Sequence, residues 1–118
     1  MKSVFPRLKA THVDGKPPIV VILGMHRSGT SLVANFVHAL GVDLGQDLHP
    51  ADEWNAAGYW ESRQILETHE KILQELNCDW QNPPLFFPAN WWRKPNIQEL
   101  KSRFLGFVRS ECKRTEKI

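Results

Sequence analysis

One short segment of the chain combines the residue types that hold anions: Gly24-Met25-His26-Arg27-Ser28-Gly29-Thr30-Ser31. Glycines let the backbone turn sharply and approach a ligand closely, and serine and threonine hydroxyls add hydrogen-bond donors. If a helix begins just after Gly29, the amide N–H groups of residues 28–31 converge where the helix dipole also favours negative charge. This segment, residues 24–31, is called the anion loop below, and we predict that it binds a phosphate-like group.

The anion loop has the glycine spacing of a P-loop but lacks its lysine. In a nucleoside-triphosphatase P-loop a lysine directly follows the second glycine and reaches the β- and γ-phosphates. Here Thr30 occupies that position, and the basic residue is Arg27, just before Ser28. This arrangement argues against ordinary ATP hydrolysis and favours the transfer of a different group.

A strand and a helix are expected on either side of the anion loop. Ile19 to Leu23 is an apolar, β-branched run between Pro18 and Gly24, which is typical of a strand buried on both faces of a parallel sheet. After Ser31 a helix is expected, because apolar residues recur at spacings of three and four and a glycine follows at a C-terminal position: Leu32, Val33, Phe36, Val37, Leu40 and then Gly41.

Two further helices are predicted downstream. One runs from about Ser62 to Leu76, and the last begins with Asn96 as its cap and Glu99 three residues later. Residues 42–60 are expected to form a long loop with a helical turn around Asp52 to Asn55. Both residues 1–18 and residues 77–95 contain several prolines, so we expect an irregular lead-in and a second irregular segment. Within the second segment, Leu85 to Phe87 is only a weak candidate for a second strand.

The expected fold class is therefore α/β, a P-loop-like three-layer parallel sheet flanked by helices. A length of 118 residues allows one domain, residues 1–118. A doubly wound sheet needs several parallel strands, and this sequence offers one clear strand. We therefore expect an incomplete domain: a truncation, a fragment, or a piece completed by a partner.

The anion loop closely resembles the 5′-phosphosulfate loop of sulfotransferases, in which a basic residue precedes Ser-Gly-Thr-Ser or Ser-Gly-Thr-Thr. Three later features are similar to landmarks of a bacterial branch of that family. They are Asn55-x-x-Gly58-Tyr59-Trp60-Glu61-Ser62, then Ile65 with His69-Glu70, then the stretch rich in proline and tryptophan from Trp80 to Trp92. The resemblance covers roughly residues 18–110, the N-terminal portion of such an enzyme.

This resemblance implies a sulfotransferase that transfers a sulfuryl group from 3′-phosphoadenosine 5′-phosphosulfate (PAPS) to a hydroxyl or amine acceptor of unknown class. It implies that Arg27 neutralises the bridging and departing oxygens during catalysis, and that the 5′-phosphate is held by Ser28, Gly29, Thr30 and Ser31. No metal is required, because Arg27 and the loop amides supply the electrostatic stabilisation. His26, inside the loop, either contacts the sulfate as a cation or points away.

The resemblance also implies a catalytic base, commonly Glu or His in that family, and the candidate is Glu61, which lies just before a predicted helix in the family-like Gly-Tyr-Trp-Glu stretch. A carboxylate can serve if it lies within hydrogen-bond distance of the acceptor proton. A surface carboxylate near a helix start is the structural alternative. The sequence has no His-Glu-x-x-His spacing, so we do not expect His38 or His69 to bind a metal. The five tryptophans are expected mainly to pack, although stacking on adenine or a sugar is the functional alternative.

The bulk properties add limits. A formal charge of +2 and the absence of a long basic block favour no nucleic-acid partner. The longest apolar run is too short for a membrane span, no signal peptide is evident, and two cysteines without motif spacing suit a reducing compartment, so we expect a cytoplasmic protein. A homo-oligomer or a missing C-terminal portion is possible.

Two alternatives to the sulfotransferase hypothesis remain open. The resembled family continues with a Lys-Asp-Pro-Arg-like segment and an Arg/Ser pair for the 3′-phosphate, and neither is present before Ile118. That departure favours a non-catalytic or truncated anion-binding module. An atypical nucleotide kinase is the other alternative, and Thr30 at the position of the P-loop lysine counts against it.

Overall fold

The computed structural model describes residues 18–115, and they form helices joined by irregular segments. In chain order the elements are α1 (Thr30–Ala39), α2 (Arg63–Glu75), a 3₁₀ helix (Trp91–Arg93) and α3 (Pro95–Thr115). Of these residues, 18–62 and Thr115 belong to one compact unit, the first unit below, and Arg63–Arg114 form the second unit. The predicted irregular lead-in, residues 1–18, lies outside the described residues except for Pro18, and the prediction of one domain stays a prediction.

The α/β fold class is wrong, because residues 18–115 contain no strand and hence no parallel sheet. The run Ile19 to Leu23 has no regular structure, and Leu23 is 87% exposed. Leu85 to Phe87 is irregular as well. A strand exists only when a neighbouring strand accepts and donates its backbone hydrogen bonds. The described residues supply just one isolated antiparallel bridge, between Leu48 and Ser62.

Helix α1 confirms the predicted helix after the anion loop, including its C-terminal glycine. Gly41 adopts a left-handed conformation, with φ 99°. Its N–H donates to the carbonyl of His38 at 2.8 Å, and the N–H of Val42 donates to the carbonyl of Val37 at 3.3 Å. These two bonds form a Schellman motif, which satisfies carbonyls that the end of a helix would otherwise leave without partners.

Most of the predicted apolar stripe of α1 is exposed to solvent. Leu32 is 75% exposed and Phe36 is 62% exposed, whereas Ala34, outside the predicted stripe, is buried. Helical periodicity correctly indicates which side chains share a face, but a buried face also needs a covering element. Among residues 18–115, Ala34 and Ile97 are the only buried apolar side chains.

Helices α2 and α3 confirm the two predicted downstream helices within a few residues. The predicted cap of α3 is wrong: the helix begins at Pro95, and the Asn96 side chain donates instead to a carboxylate oxygen of Glu75 at 3.0 Å. Proline suits the first helical position because its fixed φ is already helical and no N–H is lost there. Glu99 instead pairs with Arg103 one turn later.

The segment between α2 and α3 is irregular, as predicted, apart from the short 3₁₀ helix. Tryptophan packing is less extensive than expected, because Trp54, Trp80 and Trp92 are exposed. Trp91 is half-buried and contacts the ring of Phe87, with centroids 5.0 Å apart. Within residues 18–115 each helix is too short or too polar to cross a bilayer.

Candidate functional site

The anion loop folds back on itself between the irregular run and α1. Ser28 N–H donates to the carbonyl of Met25 at 3.1 Å, closing a tight turn over His26 and Arg27. A Cβ added to Gly24 would lie 2.6 Å from Cγ2 of Thr30 and 2.7 Å from Oγ of Ser28. A side chain at this position would force Thr30 or Ser28 to shift, so the loop's own packing favours glycine there.

Two residues of the loop have left-handed backbone conformations. Gly29 has φ 92°, which glycine adopts without steric cost, and Arg27 has φ 62°, which is uncommon for a residue with a side chain. Strained conformations of this kind cluster at ligand sites, where the surrounding structure holds them. Arg27 lies in the turn of the loop, and its side chain is exposed.

The N-terminus of α1 opens directly from the loop. Gly29 is the N-cap, so no side chain of the capping residue occupies the helix N-terminus. The first backbone bond into the helix is donated by Val33 N–H to the Gly29 carbonyl at 3.1 Å, so the amides of Thr30 and Ser31 precede the intrahelical pattern. Thr30 and Ser31 are half-buried, while residues 24–29 are exposed to solvent. The arrangement suits an anion at the positive end of the helix dipole.

A second segment, residues 55–62, holds Glu61 within the same unit. His49 N–H donates to the Glu61 carbonyl at 2.7 Å, next to the bridge between Leu48 and Ser62. Gly58 and Trp60 both have left-handed backbones, with φ 90° and 60°. Side-chain contacts accompany the unusual conformation of Trp60, since its Nε1 donates to the Ala57 carbonyl at 3.0 Å and its ring lies 5.6 Å from the ring of His38 on α1.

Tyr59 occupies the centre of this segment and is bound on two sides. Its hydroxyl lies 2.9 Å from each carboxylate oxygen of Asp52, and its ring lies 4.6 Å from the ring of His49. Asp52 is itself fixed, because its Oδ1 accepts from the backbone N–H groups of Trp54 and Asn55 at 2.9 Å. The predicted turn around Asp52 to Asn55 is thus confirmed, as a turn capped by the aspartate side chain.

The pKa of Tyr59 depends on its contact with Asp52 and on the charges of both candidate catalytic residues. The hydrogen bond to Asp52 raises the pKa of Tyr59 above its usual value of 10.0. Partial desolvation and the negative charges of Asp52 and Glu61 raise that pKa further, while the positive charge of Arg27 lowers it. The positive charge of Arg27 and the negative charge of Glu61 thus act on the pKa of this phenol in opposite directions.

Asp52 is held in its ionised form. Desolvation raises the pKa of its carboxyl group, but the hydrogen bonds from Tyr59, Asn55 and Trp54 and the positive charge that His49 can carry lower it by more, leaving the pKa below its usual 3.8. A carboxylate that accepts several hydrogen bonds is stabilised as the anion. At neutral pH the pair is accordingly a phenol donating to a carboxylate.

The remaining predicted residues have simpler positions. His26 lies exposed in the turn beside Arg27. His38 lies in the last turn of α1, where its Nδ1 is 3.1 Å from the Val42 carbonyl and its ring contacts the ring of Trp60. His69 is exposed on α2. Within residues 18–115 no group of three His, Cys, Asp or Glu side chains is arranged to hold a metal ion.

Sequence reasoning missed Asp52, His49 and the role of Tyr59. The spacing from Asp52 to Asn55 signals a capped turn, but nothing in the sequence indicates that Tyr59 returns to Asp52. Comparisons of the chain with protein-family models, curated proteins and solved structures found no match. The function must therefore be argued from the site itself.

Proposed function

We propose that the anion loop binds the phosphosulfate group of PAPS and that the chain serves sulfuryl transfer to a hydroxyl or amine acceptor. The observation that carries this proposal is the geometry of the anion loop, which turns tightly at Arg27 and leads directly into the N-terminus of α1, where the amides of Thr30 and Ser31 precede the intrahelical hydrogen bonds. A cation for the donor and a carboxylate for the acceptor are the two charged groups that this reaction needs.

In the proposed reaction the acceptor oxygen or nitrogen attacks the sulfur of PAPS. A new bond from sulfur to the acceptor forms, and the bond from sulfur to the bridging oxygen of the 5′-phosphate breaks. The acceptor's proton passes to the Glu61 carboxylate, and the electron pair of the broken bond stays on the departing 3′-phosphoadenosine 5′-phosphate (PAP). Arg27 offsets the negative charge that develops on that oxygen.

The rest of the loop positions the donor. The amides at the start of α1 and the hydroxyls of Ser28, Thr30 and Ser31 supply hydrogen bonds to the 5′-phosphate, and Gly29 gives the backbone its turn. His26 is a further cofactor-binding residue in the proposal, since its imidazole neighbours Arg27 in the exposed turn. Because these groups provide the electrostatic stabilisation, the proposed chemistry requires no metal. Cys78 and Cys112 are thiols, which fits the proposed cytoplasmic location.

A second function, anion binding without catalysis, is favoured by one observation. Residues 24–29 and Glu61 are all exposed to solvent. Group transfer benefits from a site that excludes water, because exclusion strengthens electrostatic interactions and prevents hydrolysis. An exposed loop can still bind a phosphate. The two functions share the first step, donor binding, and differ in whether sulfuryl transfer follows.

Titration of the whole chain with PAP and with ATP, each without and with magnesium, separates these functions from a nucleotide kinase. We expect saturable PAP binding that is unchanged by magnesium and stronger than ATP binding. Magnesium-dependent ATP binding in preference to PAP would contradict the proposal and support a kinase. The chain would be assigned the non-catalytic anion-binding function if it bound PAP but did not transfer radiolabelled sulfate from PAPS to any of a panel of hydroxyl and amine acceptors.

A further inference from the structure

Beyond the two candidate catalytic residues, the first unit contains a polar network that no step of the proposed reaction uses. It links His49, Asp52 and Tyr59 and is called the tyrosine network below. We propose that the tyrosine network is a positioning device that fixes Glu61 for the proton transfer of the proposed reaction. This inference rests on the proposed function for its purpose, although its structural part can be tested without any ligand.

The network is attached to Glu61 at two points. Tyr59 lies two residues before Glu61 in the chain, and its hydroxyl is shared by both oxygens of Asp52. His49 contacts the Tyr59 ring and donates its backbone N–H to the Glu61 carbonyl at 2.7 Å. His49 therefore contacts Tyr59 through its side chain and Glu61 through its backbone.

The anchor of the network is rigid for a local reason. Asp52 accepts two backbone N–H groups of its own turn as well as the tyrosine hydroxyl, so rotation of its carboxylate would cost three hydrogen bonds. Asn55 adds a closing contact, because its side-chain amide donates to the Gly58 carbonyl at 2.9 Å. Hydrogen bonds to an ionised acceptor are stronger than neutral ones.

A rigid segment matters because, among the described residues, no hydrogen bond or ion pair holds the Glu61 side chain. The residue is exposed, and its hydrogen bond is made by its backbone carbonyl. A base on a flexible surface segment would spend little time within hydrogen-bond distance of an acceptor, and small misplacements of reacting groups reduce rates strongly. The tyrosine network supplies the support that the candidate base itself lacks.

The first test needs no ligand and uses Tyr59→Phe in the whole chain. This change removes the hydroxyl and keeps the ring that contacts His49. Amide hydrogen exchange measured by NMR should show the His49 N–H exchanging roughly fivefold faster, the factor expected for loss of about one typical hydrogen bond of support. Amides of α2 serve as the internal control and should not change. An unchanged His49 rate in a folded variant would overturn the positioning role.

The second test asks whether Tyr59 and Glu61 act as a unit on the anion loop, with PAP as the probe. If Glu61 is held near the bound donor, as the proposed reaction requires, removing its negative charge in Glu61→Gln should tighten PAP binding severalfold. In the Tyr59→Phe background the same change should have little effect, because Glu61 is no longer held there. Equal effects in both backgrounds would contradict the inference.

A conservative variant separates support by a hydrogen bond from support by charge. Asn at position 52 still offers an oxygen to Tyr59 and to the backbone N–H groups, so Asp52→Asn should retain most of the slow His49 exchange, whereas Asp52→Ala should lose it. Slow exchange preserved in Asp52→Ala would overturn the inference. If the exchange results follow these expectations but PAP does not bind, the proposed function fails while the positioning of Glu61 stands.

Discussion

The hydroxyl of Tyr59 donates to Asp52 and lies 2.9 Å from both of its carboxylate oxygens, although seven positions separate the two residues in the chain. This contact closes the loop that carries Glu61, and it raises the pKa of the chain's single tyrosine. The ionisation of this phenol consequently reports on the tyrosine network.

We expect the pKa of Tyr59 to lie above 10.0, because phenolate formation breaks its hydrogen bond to Asp52 and brings two negative charges together. Stability from this contact is present below pH 10 and is lost as the pH rises through the raised pKa of the folded protein. Spectrophotometric titration of tyrosinate absorbance measures this directly, since no second tyrosine contributes. Asp52→Ala should move the pKa back towards the unfolded value, and a pKa that stays in place would contradict the contact.

Acid should loosen the loop around Asp52. Because the pKa of Asp52 is lowered below 3.8 in the folded protein, the stabilising effect is fully present above about pH 4 and is lost as the pH falls through the lowered pKa. Trp54 and Trp60 lie close to this turn in the chain, so tryptophan fluorescence should change in that acidic range. Asp52→Asn should shift or abolish the change. The same acid transition in both proteins would assign it to another group.

Gly24→Ala should damage the anion loop. The added methyl would meet Thr30 and Ser28 at distances that real side chains essentially never show, so one side of the loop must move. Overpacking of this kind costs typically about 1–3 kcal/mol. We expect PAP affinity to fall at least tenfold while the helical circular dichroism signal stays unchanged. Undiminished affinity would show that the loop tolerates the side chain and that its close packing is unimportant for binding.

Gly106→Ala is the matched substitution in open space. Gly106 lies inside α3, and an added Cβ would meet no atom within 4 Å. Alanine favours the helix over glycine by up to about 1 kcal/mol, so this variant should raise the free energy of unfolding by about 0.5–1 kcal/mol. Denaturant titration followed by circular dichroism checks the gain, and PAP affinity should not change. A destabilised variant would contradict the exposed helical position.

The helices could be predicted because their signals are local. Apolar spacing located α1, α2 and α3, and Gly41 marked the end of α1, since each of these features depends on neighbours within about one turn. The start of α3 was misplaced because Pro95 and Asn96 both resemble helix starts, and the preference of proline for the first position prevailed.

The sheet and the tyrosine network could not be predicted, for a shared reason. The run from Ile19 to Leu23 has the composition of a buried strand, but a strand also depends on partners distant in sequence, and none is present in residues 18–115. The contact of Tyr59 with Asp52 likewise joins residues seven positions apart, and no local pattern in the sequence indicates it.

The central claim, that the anion loop recognises a phosphosulfate donor through Arg27, is tested most directly by titrating the whole chain with PAP beside two variants. Arg27→Ala removes the loop cation, and Arg109→Ala removes an exposed arginine of α3 as a matched loss of charge. We predict saturable, magnesium-independent binding that falls at least tenfold in Arg27→Ala and persists in Arg109→Ala. Absence of PAP binding by the folded chain, or equal weakening in both variants, would contradict the claim.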